Sequence, residues 1–179
     1  MATYGIKVFW GCRALSGDVS FESSIRTVLE ALGMALEDLR PQACCGEPIR
    51  SLSLTASCYL SIRLLALTAR DGSDKLLMPC NKGYYMANWS LDLISRSEEV
   101  REAVKKALSS EGLRIDRLAC PMSLVDLLYE AWGPEGLRKK TEKPLGLKVA
   151  LHPGCYLLRF KPGTGEGLEE LRKLRELLS

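Results

Sequence analysis

Residues 42–47 read Gln-Ala-Cys-Cys-Gly-Glu, with thiols on consecutive residues. A disulfide between neighbours closes a small strained ring, far from the Cα separation that bridges prefer, so the doublet does not read as a staple. Seven cysteines stand in 179 residues, an odd and large number for a chain whose N-terminus, MATYGIKVFW, lacks a cleavable secretory signal. In a reducing compartment such a count points to metal or redox chemistry rather than to a disulfide framework. His152 is the only histidine, so no site rests on two imidazoles, and that ring is either a proton donor near a substrate or a partner for local backbone groups.

These residues need elements to position them. Residues 4–10 form an apolar run that reads as a buried strand ending at Gly11-Cys12. A turn follows, then a helix with Phe21, Ile25, Val28, Leu29 and Leu32 on one face, closed by Gly33. Ala35 to Leu39 reads as a second strand leading to Cys44-Cys45-Gly46, and residues 52–70 as a buried helix with Leu54, Cys58, Ile62, Leu65 and Ala69 in one stripe. Lys75 to Met78 is a third strand, delivering Pro79-Cys80. Two helices are expected next, the second opened by Ser95 and Glu98 in capping-box spacing. A strand over 113–120, a helix from Ser123 to Trp132, a fifth strand over 147–151 before His152-Pro153-Gly154-Cys155, and a final helix with Leu168, Leu171, Leu174 and Leu178 near one face complete the pattern. The alternation predicts an α/β fold, an open mostly parallel Rossmann-like sheet with helices on both faces. In such sheets sites gather beyond the carboxyl ends of strands, where Cys12, Cys44, Cys45 and Cys80 all fall. Glu135 to Gly146 is the one candidate linker.

Thirty-one residues separate Cys12 from Cys44, and thirty-four separate Cys45 from Cys80. With FWGC at 9–12, CCGEP at 44–48, CNKGYY at 80–85 and HPGCYLL at 152–158, this pattern resembles the cysteine-rich CCG domain of the heterodisulfide reductase B-subunit family. The resemblance implies Rossmann-like halves, with a first cysteine-rich domain over 1–146 and the beginning of a second, incomplete unit over 147–179. It further implies a 4Fe-4S cluster of noncubane type on Cys12, Cys44, Cys45 and Cys80, with Cys155 available to a site completed by a partner chain. A ferredoxin-like C-type subunit, a flavin-containing A-type subunit or a second B-like chain are the implied partners, and a thiol or disulfide is the implied substrate. Adjacent thiolates then have a use, because consecutive residues can reach neighbouring irons of one cluster.

The chain departs from its relatives at Gly83, which stands where the family motif has its last cysteine. It also ends before a second cysteine pair, so the second site is not expected from this polypeptide alone. Four thiolates suit an iron–sulfur cluster or a tetrahedral zinc, and the alternative to an electron-transfer subunit is a non-catalytic interaction subunit with a degenerate, zinc-bound or empty site. Cys58 reads as a small core residue, while Cys120 lies outside the motif. No run is apolar enough to span a bilayer, which makes the cytoplasm the expected compartment. A net charge of +3, with Arg138-Lys139-Lys140 as the one tight basic cluster, argues against nucleic acid. No G-x-G-x-x-G follows the first strand to argue for a dinucleotide.

Overall fold

A computed structural model describes residues 5–12, 16–143, 145–158 and 168–179. Strand β1 (Gly5–Val8) leads to helix α1 (Val19–Ala31) and strand β2 (Ala35–Asp38). A 3-10 turn at Glu47–Ile49 precedes helix α2 (Leu54–Arg70) and strand β3 (Lys75–Leu77). Helices α3 (Asn81–Arg96) and α4 (Glu98–Ser109) then lead to strand β4 (Cys120–Met122), followed by α5 (Leu124–Ala131), α6 (Gly133–Lys140), α7 (Cys155–Leu158) and α8 (Leu168–Leu178). The four strands lie in the order β2-β1-β3-β4. All pairings are parallel, Val8 matching Asp38 on one side and Leu77 on the other, with Leu77 matching Met122.

Side chains alternate across a strand, and here that alternation builds a core on each face. Val8, Trp10, Leu77 and Met122 pack with Ile25 and Leu29 of α1 and Leu127 of α5. Phe9, Leu76 and Met78 face the other way, onto Ile62 and Leu65 of α2, Met86 of α3, and Val104 and Leu108 of α4. Each fully buried aliphatic side chain contributes about 1.5–3 kcal/mol relative to exposure. The α/β reading with a parallel sheet and helices on both faces therefore holds. Among the described residues no helix is long and apolar enough to cross a membrane.

Several local expectations need correction. The strand expected over 113–120 is only Cys120–Met122. Leu113 instead closes α4, its N–H donating to Leu108 O at 3.0 Å behind Gly112 at φ +68°, the 6→1 closure that ends many helices. Ser95 lies inside α3 with its hydroxyl on Asp92 O, while Ser97 caps α4 by accepting from the Val100 N–H at 3.3 Å. The expected linker begins as helix, since α6 runs to Lys140. Residues 147–151 form no strand, and Leu147 and Val149 remain about 70% exposed. A strand needs a neighbour for its backbone groups, and no described strand lies beside this segment. On α8, Leu171 and Leu174 are half-buried but Leu178 is exposed, and the buried positions are Glu170 and Lys173. Lys173 Nζ reaches Asp126 Oδ1 at 2.6 Å, and Ser123 Oγ donates to Asp126 Oδ2 at 2.9 Å. The face of α8 turned to α5 is thus chosen by a buried ion pair, not by the leucine pattern. The side chain of Leu168 lies outside the described residues.

Candidate metal centre

The chain leaves β1 in one direction, through α1 to β2, and later returns to the other side of β1 as β3 and β4. That reversal opens a crevice beyond the carboxyl ends of β1 and β3. Gly11 and Cys12 follow β1, and Cys80 is the residue immediately before α3. A Cβ placed on Gly11 would lie 3.7 Å from Cys80 Cβ, and one on Gly83 would lie 3.9 Å from Cys45 Cβ. Burial pushes the Cys45 thiol up to about 12, and the nearby sulfurs of Cys44, Cys80 and Cys12 push the same way, while the Glu47 N–H opposes them by hydrogen-bonding the sulfur. The fold thus places Cys12, Cys44 and Cys80 near Cys45 at one sheet edge. Among the described residues no three His, Cys, Asp or Glu side chains converge as tightly as a single metal ion demands.

The doublet sits in a loop held from below by α2. Gly46, at φ +87°, donates its N–H to Cys44 Sγ at 3.3 Å. Its Cα passes so close to α2 that a Cβ would stand 2.3 Å from the Ser57 carbonyl oxygen. Ser57 Oγ donates to Gly46 O at 2.9 Å and Ser61 Oγ to Cys45 O at 2.6 Å, both from fully buried side chains. Sequence reasoning missed these serines. A signal exists: hydroxyls four residues apart on a largely apolar, buried helix need partners. Each Ser→Ala change leaves a buried carbonyl without its donor, at about 1–3 kcal/mol. Equilibrium urea denaturation of Ser57→Ala, Ser61→Ala and the double variant should show single losses in that range, and Cys44 and Cys45 should become faster to alkylate in the metal-free double variant. Unchanged stability in all three would remove the serines from the architecture of the site.

A further group of contacts frames the edge. Trp10 Nε1 donates to Asp38 Oδ1 at 2.8 Å, and the Arg26 guanidinium lies 2.5 Å from the same oxygen and 4.7 Å from the Trp10 ring centroid. Burial would raise the Asp38 carboxyl, yet the hydrogen bonds from Trp10 and Arg26 hold it below its ordinary value. This fixes the ends of β1 and β2 just before their cysteine-bearing loops.

The remaining cysteines differ. Cys58 is fully buried, its S–H set toward Ser90 O at 3.6 Å and its thiol pushed up to about 11 by desolvation, as a core residue should be. Cys120 is exposed at the start of β4. Cys155 is exposed at the first position of α7, and His152 is exposed just before it. The residue after Cys155 is not free: Tyr156 donates its hydroxyl to Glu47 Oε1 at 3.3 Å. The HPGCYLL segment therefore lies against the doublet loop, although the four motif cysteines and Cys155 are not gathered as one set.

The residues that carry this geometry fall in a recognised family. Residues 6–86 match the model of a cysteine-rich domain, CCG. The fold and the cysteine edge together define a CCG-type cysteine-rich α/β protein. The chain is similar to heterodisulfide reductase B subunits: it is 31% identical, over 99% of its length and 60% of the relative's, to a heterodisulfide reductase B-subunit-like protein of Archaeoglobus profundus. It is 29% identical, over 92% of its length and 55% of the relative's, to the B subunit of the ferredoxin/F(420)H(2)-dependent CoB-CoM heterodisulfide reductase of Methanosarcina acetivorans. A further relative, 26% identical over 88% of the chain and 54% of the relative, is the 8-methylmenaquinol:fumarate reductase membrane anchor subunit of Wolinella succinogenes. The chain spans 60% or less of the length of each of these proteins.

Proposed function

We propose that Cys12, Cys44, Cys45 and Cys80 hold a 4Fe-4S cluster, and that the protein serves as an iron–sulfur electron-transfer subunit in a heterodisulfide-reductase-like complex. The observation that carries this reading is the Cys44-Cys45 loop, in which Gly46 and Glu47 aim backbone N–H groups at the two sulfurs. Such donors suit thiolates better than thiols, because a charged acceptor strengthens the hydrogen bond. A buried Cys45 thiolate among three other sulfurs needs a positive centre, and an all-sulfur donor set selects iron–sulfur or zinc over hard cations. Ligands on different irons need not converge on one point, so the cysteine spacing also accommodates a polynuclear group. When bound, the cluster would supply one-electron redox chemistry at this edge.

The protein's own residues would do the rest. Gly46 and Glu47 orient the doublet, Ser57 and Ser61 fix its carbonyls, and Phe9 and Met78 exclude water from the Gly83 side. The relatives' names support a CoB-CoM heterodisulfide as substrate and ferredoxin as electron donor, while a flavin-containing A-type subunit is proposed on the motif resemblance alone. A cytoplasmic location, the division at residue 146 and a partner-completed site at Cys155 belong to the same proposal. The competing reading, a non-catalytic subunit with zinc or no metal, makes a different prediction. Protein purified without oxygen and reconstituted should be brown, carry about four iron and four sulfide per chain, and show a paramagnetic signal on reduction or oxidation. Colourless protein with stoichiometric zinc, or with no metal after reconstitution, would overturn the iron–sulfur reading.

A further inference from the structure

Three side chains at the rim of the cysteine edge meet from three separate segments. Glu47 follows the doublet, Lys82 follows Cys80, and Tyr156 follows Cys155. Tyr156 donates to one Glu47 oxygen at 3.3 Å, and Lys82 Nζ donates to the other at 3.2 Å. The same ammonium sits 5.3 Å from the centroid of the Tyr156 ring, within cation–π range. On its other side Tyr156 packs against Tyr85, ring centroids 5.4 Å apart at 58°. Leu157 anchors the segment by burying its side chain. Tyr85 is tied in turn to Arg50, whose guanidinium donates to its hydroxyl at 3.4 Å and lies 5.5 Å from the Trp89 ring.

An exposed ion pair contributes little stability, and Lys82 retains 43% of its side-chain exposure. What the arrangement does is fix a position. Glu47 already touches the cysteine site through its backbone, which bonds Cys45 sulfur. Lys82 stands in the first turn of the helix that Cys80 precedes. Glu47 and Tyr156 therefore hold one long, otherwise solvated lysine beside a set of sulfurs whose thiolate forms are all negative.

We propose that Glu47, Lys82 and Tyr156 form a clasp across the mouth of the cysteine site, and that it positions the Lys82 ammonium as the cation facing the bound cluster. The proposal rests on the iron–sulfur reading for its electrostatic half and on geometry alone for its clasp. Cluster potentials depend on local charge, hydrogen bonds and solvent exposure. A cation nearby favours the more negative, reduced state, and a closed mouth slows loss of metal. Lys82 and Tyr156 are positioning residues here, not ligands.

The test uses the reconstituted protein and its Lys82→Met, Lys82→Arg, Tyr156→Phe and Tyr156→Ala variants. Lys82→Met should have a more negative midpoint potential than the parent at equal iron content, and Lys82→Arg should restore it. Tyr156→Ala should lose iron to a chelator several-fold faster than the parent, with Tyr156→Phe between. Equal potentials in parent and Lys82→Met would overturn the electrostatic role, and equal iron-loss rates in parent and Tyr156→Ala would overturn the clasp. If the parent takes up no cluster, the fault lies in the iron–sulfur reading. The clasp is then read from amide exchange over residues 44–50 and alkylation of Cys44 and Cys80 in the metal-free chain. Faster rates in Tyr156→Ala support it, and unchanged rates overturn it.

Discussion

Gly46→Ala should abolish cluster uptake and lower the melting temperature by roughly 6–12 °C, the shift that about 3 kcal/mol produces in a chain of this size. Two costs combine. At φ +87° an alanine carries the left-handed penalty of about 1–2 kcal/mol. Its Cβ would also stand 2.3 Å from the Ser57 carbonyl oxygen and 3.0 Å from the Ser57 Cα, backbone atoms of a buried helix that cannot turn aside as a side-chain tip could. The loop must rise, breaking the bonds from Ser57 and Ser61 and moving Cys44 and Cys45 away from the edge where Cys12 and Cys80 stand. Gly72→Ala separates the two costs, because Gly72 has the same φ with nothing within 4 Å of its Cβ position. That control should lose only the backbone term, and calorimetry on both metal-free variants reads the difference. A Gly46→Ala protein as stable as Gly72→Ala, with undiminished iron, would mean that the close approach to α2 does not hold the doublet in place.

Why the cysteine edge is legible in the sequence and its scaffold is not follows from what each depends on. Cys12, Cys44, Cys45 and Cys80 announce themselves by residue type and by their position after apolar runs. The runs at residues 5–8 and 75–77 become central strands because Val8 and Leu77 fill one face of the parallel sheet and Leu76 the other, while 35–38 is the edge strand, with Leu36 packed against the first of these cores. The hydroxyls of Ser57 and Ser61 acquire meaning only when α2 is laid beneath the doublet loop, a relation between segments that no local pattern contains. The same holds for Lys82 and Tyr156, seventy-odd residues apart, which read singly as a surface lysine and an ordinary aromatic.

Where the sequence pattern misleads, local propensity loses to tertiary demands. The alternation Leu147, Val149, Leu151 is a good strand pattern, yet a strand forms only against a neighbour, and the apolar side chains stay exposed. Leucines along α8 suggest its buried face, but the buried Asp126 carboxylate on α5 draws Lys173 inward as its counter-charge, and Leu178 is left exposed. Leu113 precedes Ile115 and Leu118 and so reads as strand, although the Gly112 turn commits it to closing α4. In each case the backbone's need for hydrogen-bond partners, or a buried charge's need for its counter-charge, outweighs the hydrophobic period.

Gly83→Cys should raise iron and sulfide per chain and slow their release to chelator, because position 83 opens onto the pocket that holds Cys45. Gly83 is buried in the first turn of α3 with an ordinary helical backbone, so a side chain there carries no conformational penalty. A Cβ would meet Met78 Cε and Phe9 Cε1 at 3.5 Å and Cys45 Cβ at 3.9 Å, all normal van der Waals separations. The added sulfur would therefore stand on the Cys45 side of α3, where Gly83 itself offers no donor. Gly83→Ala supplies the control: it adds the same Cβ and should stabilise the metal-free helix by up to about 1 kcal/mol through helix propensity, but it brings no ligand. Metal analysis and paramagnetic resonance on the two variants, reconstituted side by side, distinguish packing from ligation. A Gly83→Cys protein whose iron content, spectrum and chelator resistance match those of Gly83→Ala would show that no metal lies within reach of position 83, and with it the placement of the cluster beside Cys45 would fall.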